Sequence, residues 1–266
     1  MDNTTPKEGY RVESDLLGPR EIPNDKLYGV QTLRGIENFR ISNFKLSDYP
    51  EFIAGLAITK MAAAIANREL GVLPADKEKV ILEACREILE GKYRDQFPVD
   101  MIQGGAGTTT NMNINEVVTN RALELMGHKP GEFKYLSPND DVNCAQSTND
   151  AYPTSIHVGL WYASRRFLKH YRKLIDSLLA KAEEFKDIVK IGRTQLQDAV
   201  PMTLGQTFHG FASILEDEIK HLEEAAEDFL TVNMGATAIG TGITAEPGYA
   251  EKCVKAMRKL TGFDFK

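Results

Sequence analysis

The sequence predicts a mainly α-helical protein, with extended structure confined to a short hairpin near the N-terminus and two very long helices in the second half. Apolar residues recur every three or four positions through most of the chain, and two such runs, Ile156 to Phe185 and Leu204 to Phe229, continue without a break. Arg11 to Leu17 and Arg20 to Pro23, separated by Gly18-Pro19, read as the hairpin, and Tyr28 to Asn43 reads as irregular. From about Pro50 to Leu70, Ile53, Ala57, Met61 and Ala64 share one helical face, with Pro50 suited to the first turn and Gly71 to the stop. Val80, Ile81, Ala84, Cys85, Ile88 and Leu89 mark a second helix ended by Gly91, and a third runs from Ile114 to Met126, closed by Gly127.

The first rod carries Ile156, Leu160, Ala163, Phe167, Tyr171, Leu174, Leu178, Ala182 and Phe185 as one stripe, a helix of about 45 Å at 1.5 Å per residue. Leu204, Phe208, Phe211, Leu215, Ile219, Leu222, Ala226 and Phe229 repeat the pattern after the Ile191 to Pro201 connection. Rods of this length favour an extended multi-helix bundle shared between subunits. The best domain boundary falls between Gln146 and Asp150, where irregular sequence gives way to the first rod.

At 266 residues, 42% hydrophobic and 26% charged, the composition is that of a soluble globular protein of one large or two smaller domains. A net charge of −6 argues against nucleic acid or an anionic membrane as partner, and the basic stretch Arg165, Arg166, Lys169, His170, Arg172 and Lys173 has the spacing of a solvated helix face. Cys85, Cys144 and Cys253 lie far apart with no CxxC spacing, which favours reduced packing thiols in a cytoplasmic protein. The five histidines form no HExxH or similar pattern, so neither a metal nor another cofactor is expected. No secretory pattern opens Met1 to Thr5, and no run of eighteen apolar residues occurs.

Two polar clusters carry chemistry: Gly104 to Asn111 (GGAGTTTN) and Gln146 to Asp150 (QSTND). Each sets small donors beside a helix start, where glycine admits a ligand close to backbone N–H groups and the helix end carries partial positive charge. Such a surface suits a carboxylate. The same residue types are also favoured as caps: Thr108, Thr109 and Asn111 for the third helix, Ser147 and Asn149 for the first rod. Asp150 is expected as an anchor, Arg193 and Asp198 as a structural ion pair, and His157 as a core or interface histidine.

The ordered motifs GAGTTTNMNINE (Gly105 to Glu116), QSTND and GRTQLQDA (Gly192 to Ala199) resemble the aspartase/fumarase superfamily, and RVESDLLG (Arg11 to Gly18) and GATAIGTG (Gly235 to Gly242) agree with it. The resemblance implies a truncated form of that fold, with an N-terminal mostly helical lyase domain over 1–146 and an incomplete central long-helix bundle over 147–266. It also implies a homotetramer whose active sites are shared between subunits. Fumarases typically carry histidine where this chain has Gln195 and Ser137, and their QSTND counterpart commonly reads SSND, so the resemblance points to the ammonia-lyase branch.

The implied reaction is reversible loss of ammonia from L-aspartate to give fumarate through an enediolate, a dianion that forms only where preorganised donors offset its second charge. By resemblance, Thr108, Ser147 and Thr148 hold the carboxylate that gains charge, Asn149 and Gln195 flank the amino group, and Thr194 helps fix the other carboxylate. A fumarate hydratase, and a non-catalytic helical binding or assembly protein of the same fold, are the alternatives. The family's serine base sits on a loop of the GSSxMPxKxNP type, which does not occur in residues 1–266 and is expected beyond Lys266. The chain therefore resembles the first half of a family member and is expected to be inactive alone, with unpaired apolar stripes that aggregate or bind a partner.

Overall fold

The computed structural model describes residues 7–266; Met1 to Thr5, where no leader was expected, lie outside the described residues. The chain is mainly helical and divides into two compact units, Met1–Leu160 with Leu230–Lys266, and Trp161–Phe229. Among the described residues no helix is long and apolar enough to cross a membrane.

The first unit opens with the expected hairpin. Strands β1 (Tyr10–Asp15) and β2 (Gly18–Pro23) pair antiparallel, Tyr10 opposite Pro23 and Asp15 opposite Gly18. The Arg11 guanidinium fixes the chain that follows, donating to the carbonyls of Pro23, Lys26 and Tyr28 while pairing with Glu13 at 2.8 Å.

The segment read as irregular contains helix α1 (Val30–Asn38). Its start is hidden from local reading, because Gly29 precedes it and offers no capping side chain. The orphan N–H groups are met by distant carboxylates instead. Glu116 accepts from the N–H groups of Gly29, Gln31 and Thr32 and from the Thr32 hydroxyl, and Glu13 accepts from Val30 N–H. Gly29 is required by contact, since a Cβ there would lie 2.3 Å from Glu13 Oε2.

Helices α2 (Pro50–Glu69) and α3 (Ala75–Leu89) fall where the periodicity places them. Helix α4 (Thr108–Leu125) starts at Thr108 rather than Ile114, so the Thr108 to Asn111 half of the first polar cluster is itself helical. Its interior is polar by design: Asn113 and Asn120 donate to the carbonyls of Gln96 and Leu27, tying N-terminal segments to a buried helix. The main core joins Leu56, Ile81, Phe97, Ile114, Val117, Leu123 and Leu136.

Within the Gln146 to Asp150 stretch, where irregular sequence was expected to give way to the first rod, helix α5 (Thr148–Glu184) begins at Thr148 in the first unit. There it crosses α2 at small residues: a Cβ on Gly55 would lie 2.2 Å from the Ser155 carbonyl oxygen, and one on Gly159 would lie 2.9 Å from Phe52 Cα. Ser155 Oγ donates to Thr59 Oγ1 across the same crossing. A helix absent from the sequence reading, α7 (Tyr249–Thr261), packs Tyr249 and Cys253 with Ala63, Ala66, Ala151 and Met234.

In the second unit the rest of α5 is followed by a hairpin of β3 (Val189–Thr194) and β4 (Gln197–Thr203) where only a connection was expected, and then by α6 (Leu204–Glu227). Thr203 caps α6 through a reciprocal pair with Gln206. The buried cluster is small, comprising Ile175, Ala212 and Ile219 with Leu168, Tyr171, Leu178, Leu179 and Leu215 packed against it. The single stripe expected along the first rod is therefore only partly covered. Leu160, Phe167 and Leu174 are exposed, as are Phe211 and Leu222 on α6, because two helices bury only the strip where they face each other.

Two measurements test this packing. Gly55→Ala forces a methyl into the Ser155 backbone and is expected to cost about 2–3 kcal/mol of stability in urea unfolding, the upper range for overpacking; an unchanged midpoint would contradict the close crossing. Burial pushes the Glu116 carboxyl up to about 7 against the pull of its donors, so its stabilising contribution is complete below the unfolded value of about 4.3 and is lost as pH rises to about 7. Relative to Glu116→Gln, the parent chain should lose up to ~1.4 kcal/mol of stability per pH unit through that window. A pH-independent difference would show that its four donors outweigh burial.

A candidate carboxylate site at the start of the long helix

The two polar clusters meet in the first unit. Gly105, Ala106 and Gly107 all take left-handed φ values, of 72°, 52° and 92°, and turn the chain sharply into α4. Gly107 rests on the ring of Tyr152 in the first turns of α5, where a Cβ would lie 2.4 Å from ring carbons. Four residues into α4, Asn111 Nδ2 donates to Thr148 Oγ1 at 3.4 Å.

The predicted residues differ in what their polar atoms are already doing. Thr108 is exposed, and its hydroxyl donates to the Gly105 carbonyl at 2.6 Å, so a carboxylate must compete for that proton. It does not cap α4; Gln103 does, accepting from Thr110 N–H and donating to Thr110 Oγ1. Ser147 does cap α5, its Oγ accepting from Asn149 N–H while Asp150 Oδ1 accepts from Ser147 N–H. Accepting leaves the Ser147 hydroxyl proton free to be donated. The same holds for Thr148, whose oxygen accepts from Asn111.

Asn149 is exposed, and its Nδ2 donates to the Ala238 carbonyl, leaving Oδ1 as an acceptor. Its backbone is held as well. Pro153 has no N–H to give the Asn149 carbonyl, and Asn233 Nδ2 takes that place at 3.1 Å. Asp150 is fully buried and serves as an anchor, Oδ2 accepting from the N–H groups of Gly235 and Thr237. His157 Nδ1 lies 2.6 Å from the Thr231 carbonyl, a contact that ties the helix to the segment after α6.

Thr194 and Gln195 belong to the second unit, both exposed at the tip of the β3–β4 hairpin. Thr194 pairs with Gln197, which makes Gln195 and Leu196 a two-residue turn with φ of 47° and 66°. Such a turn normally takes glycine or asparagine, and two ordinary side chains held there mark backbone strain of the kind that collects at binding sites. Arg193 and Asp198 pair across its base at 3.2 Å, both exposed.

Lys60 is the residue that the sequence reading missed. It is buried in α2, and its Nζ donates to Asn111 Oδ1 at 2.8 Å, Gln146 Oε1 at 2.8 Å and Asn143 Oδ1 at 3.1 Å. Burial pushes its ammonium down to about 7, with the Asp150 carboxylate acting in the opposite direction. The signal was present: from Phe52 to Asn67 it is the single charged residue in an otherwise apolar helix. Ser137, which separates the two branches of the resemblance, caps the turn Pro138–Val142 by accepting from Asp140 N–H. It also lines a cleft of about 690 Å³ with Ser14, Gln31, Met112, Glu116 and Asn139, a cleft to which none of the six predicted site residues contributes. Among the described residues no group of three His, Cys, Asp or Glu side chains is placed to hold a metal ion.

The chain is similar to known lyases over nearly all of its residues. A family model described as Lyase matches residues 18–266. The aspartate ammonia-lyase of Pseudomonas aeruginosa is 54% identical over 97% of this chain and 55% of its own length. The crystal structure of fumarate lyase:delta crystallin from Brucella melitensis superposes with a TM-score of 0.93 at 47% identity, covering 97% of this chain and 56% of that one. That of class II fumarase from Schistosoma mansoni gives 0.85 at 34% identity, over 95% and 53%. The chain thus spans about half the length of the relatives it matches. With a family match over nearly all of its residues and the fold of the solved lyases, the chain belongs to the lyase family of the aspartase/fumarase superfamily.

Proposed function

We propose that the protein carrying this chain is an aspartate ammonia-lyase, eliminating ammonia from L-aspartate to give fumarate. The observation that carries the reading is the meeting of the two clusters at the start of α5. There Ser147 and Thr148 hold free hydroxyl protons at the positive end of a long helix dipole. These protons are suited to the carboxylate that becomes an enediolate, the one species in the reaction that needs a second charge offset. Asn149 Oδ1, an acceptor, is suited to the substrate's ammonium, and Thr108 adds a weaker contact because Gly105 holds its proton. Thr194 and Gln195 are assigned to the other carboxylate and the amino group, respectively. The strained turn at Gln195 supports a binding role for that loop.

Identity of 54% to the Pseudomonas aeruginosa aspartate ammonia-lyase, together with Gln195 and Ser137, favours this over hydration of fumarate. The base is unassigned within residues 1–266, where no GSSxMPxKxNP sequence occurs. A cytoplasmic homotetramer with shared sites, divided into domains at 146/147, belongs to the same proposal.

In the enzyme expressed from its complete coding sequence, Thr148→Ala should lower aspartate turnover by roughly a hundredfold to a thousandfold, the range for loss of one oxyanion donor. Near-normal deamination by the folded variant would remove Thr148 from the site. Fumarate consumption, followed in the ultraviolet, should require ammonia; consumption without it would make the enzyme a hydratase.

A further inference from the structure

Lys60 is placed to control the direction of a hydrogen-bond chain. Its Nζ takes the oxygen ends of Asn111, Asn143 and Gln146, so the amide NH2 groups must point away from it. Each does: Asn111 Nδ2 donates to Asn143 Oδ1 and Thr148 Oγ1, Asn143 Nδ2 to the Gln146 carbonyl, and Gln146 Nε2 to the Val142 carbonyl. Asn115 Nδ2 adds a further donor to Asn143 Oδ1, which thereby receives three. An asparagine amide alone can present either end to a hydroxyl. With its oxygen on Lys60, Asn111 presents N–H to Thr148, and a hydroxyl oxygen that accepts must send its own proton elsewhere.

We propose that Lys60 is a positioning residue for carboxylate recognition, acting through Asn111 to keep the Thr148 hydroxyl a donor to the substrate. The inference rests on the lyase reading of Thr148 but goes beyond it, because it gives a buried lysine that touches no substrate a share in selecting an anion. Without Lys60, the contact from Asn111 Nδ2 to Asn143 Oδ1 is, among the described residues, the one restraint left against the Asn111 amide turning its oxygen toward Thr148, and Asn143 itself has lost the ammonium that oriented it. The hydroxyl then donates inward and shows the carboxylate only lone pairs.

The test is a double-substitution cycle in the enzyme expressed from its complete coding sequence, using Lys60→Met, which keeps length and burial, and Thr148→Ala. Two readouts are taken: aspartate turnover, and binding of succinate, a dicarboxylate with no group to eliminate, by calorimetry. Lys60→Met should lower turnover and succinate affinity by on the order of tenfold or more in the parent, and by less than about twofold in the Thr148→Ala background. A structural role predicts equal losses in both backgrounds, and that result would overturn the proposal, as would unchanged turnover and binding in Lys60→Met.

If Lys60→Met fails to fold, Asn111→Leu replaces it in the same cycle, removing the relay while Lys60 keeps two amide acceptors. The same non-additivity is expected, and additive losses overturn the proposal. Unsubstituted protein that binds succinate but does not deaminate aspartate ends the lyase reading while the binding arm still decides the role of Lys60. Unsubstituted protein that does neither ends both.

Discussion

A lysine ammonium taken out of water must be met by acceptors, and meeting that demand organises the first unit. Lys60 sits in the middle of a helix of small apolar residues, so its partners come from elsewhere: Asn111 from α4, and Asn143 and Gln146 from the segment leading into α5. Three carbonyl oxygens favour the protonated form while burial disfavours it, and the Asp150 carboxylate adds charge compensation from the start of α5. The elements that must converge to satisfy one buried charge are the same ones that carry the two donor clusters.

The rest of the first unit reads as support for that convergence. Glycines at 55 and 159 let α2 and α5 approach until their backbones touch, which sets Lys60 near the start of the long helix. Asp150, pinned by Gly235 and Thr237 N–H groups, fixes the first turn of α5 from behind, and Asn233 takes up the carbonyl that Pro153 leaves without a partner. Ser147 and Thr148 are thereby presented on backbone that cannot easily shift, as the proposed carboxylate site requires.

Much of this was legible in the sequence where the cause is local. Apolar spacing located α2 and α3, and Gly18-Pro19 located the first hairpin. The features that stayed hidden are made by distant partners. Helix α1 has no capping residue of its own and starts where Glu116 and Glu13 reach it; α4 begins inside a polar cluster because its buried asparagines are satisfied by other segments. The β3–β4 turn lacks the glycine or asparagine that announces such turns, since Gln195 and Leu196 adopt left-handed backbone in their place. On the first rod, helical spacing gave the period but not which face is buried, and Phe167 and Leu174 lie exposed on the stripe assigned to the core. For the candidate site, residue type marked the two donor clusters and a lone charge in an apolar helix marked Lys60, but that the amide oxygens of Asn111 and Gln146 meet at its ammonium is made by the fold.

A crystal structure of the complete enzyme with bound succinate would show whether the hydroxyl protons proposed at the start of α5 face a substrate carboxylate. One carboxylate is expected within hydrogen-bond distance of both Ser147 Oγ and Thr148 Oγ1, with Asn111 Nδ2 still directed at Thr148. A dicarboxylate bound away from these two hydroxyls, or a Thr148 hydroxyl donating inward to Asn111, would contradict the proposal.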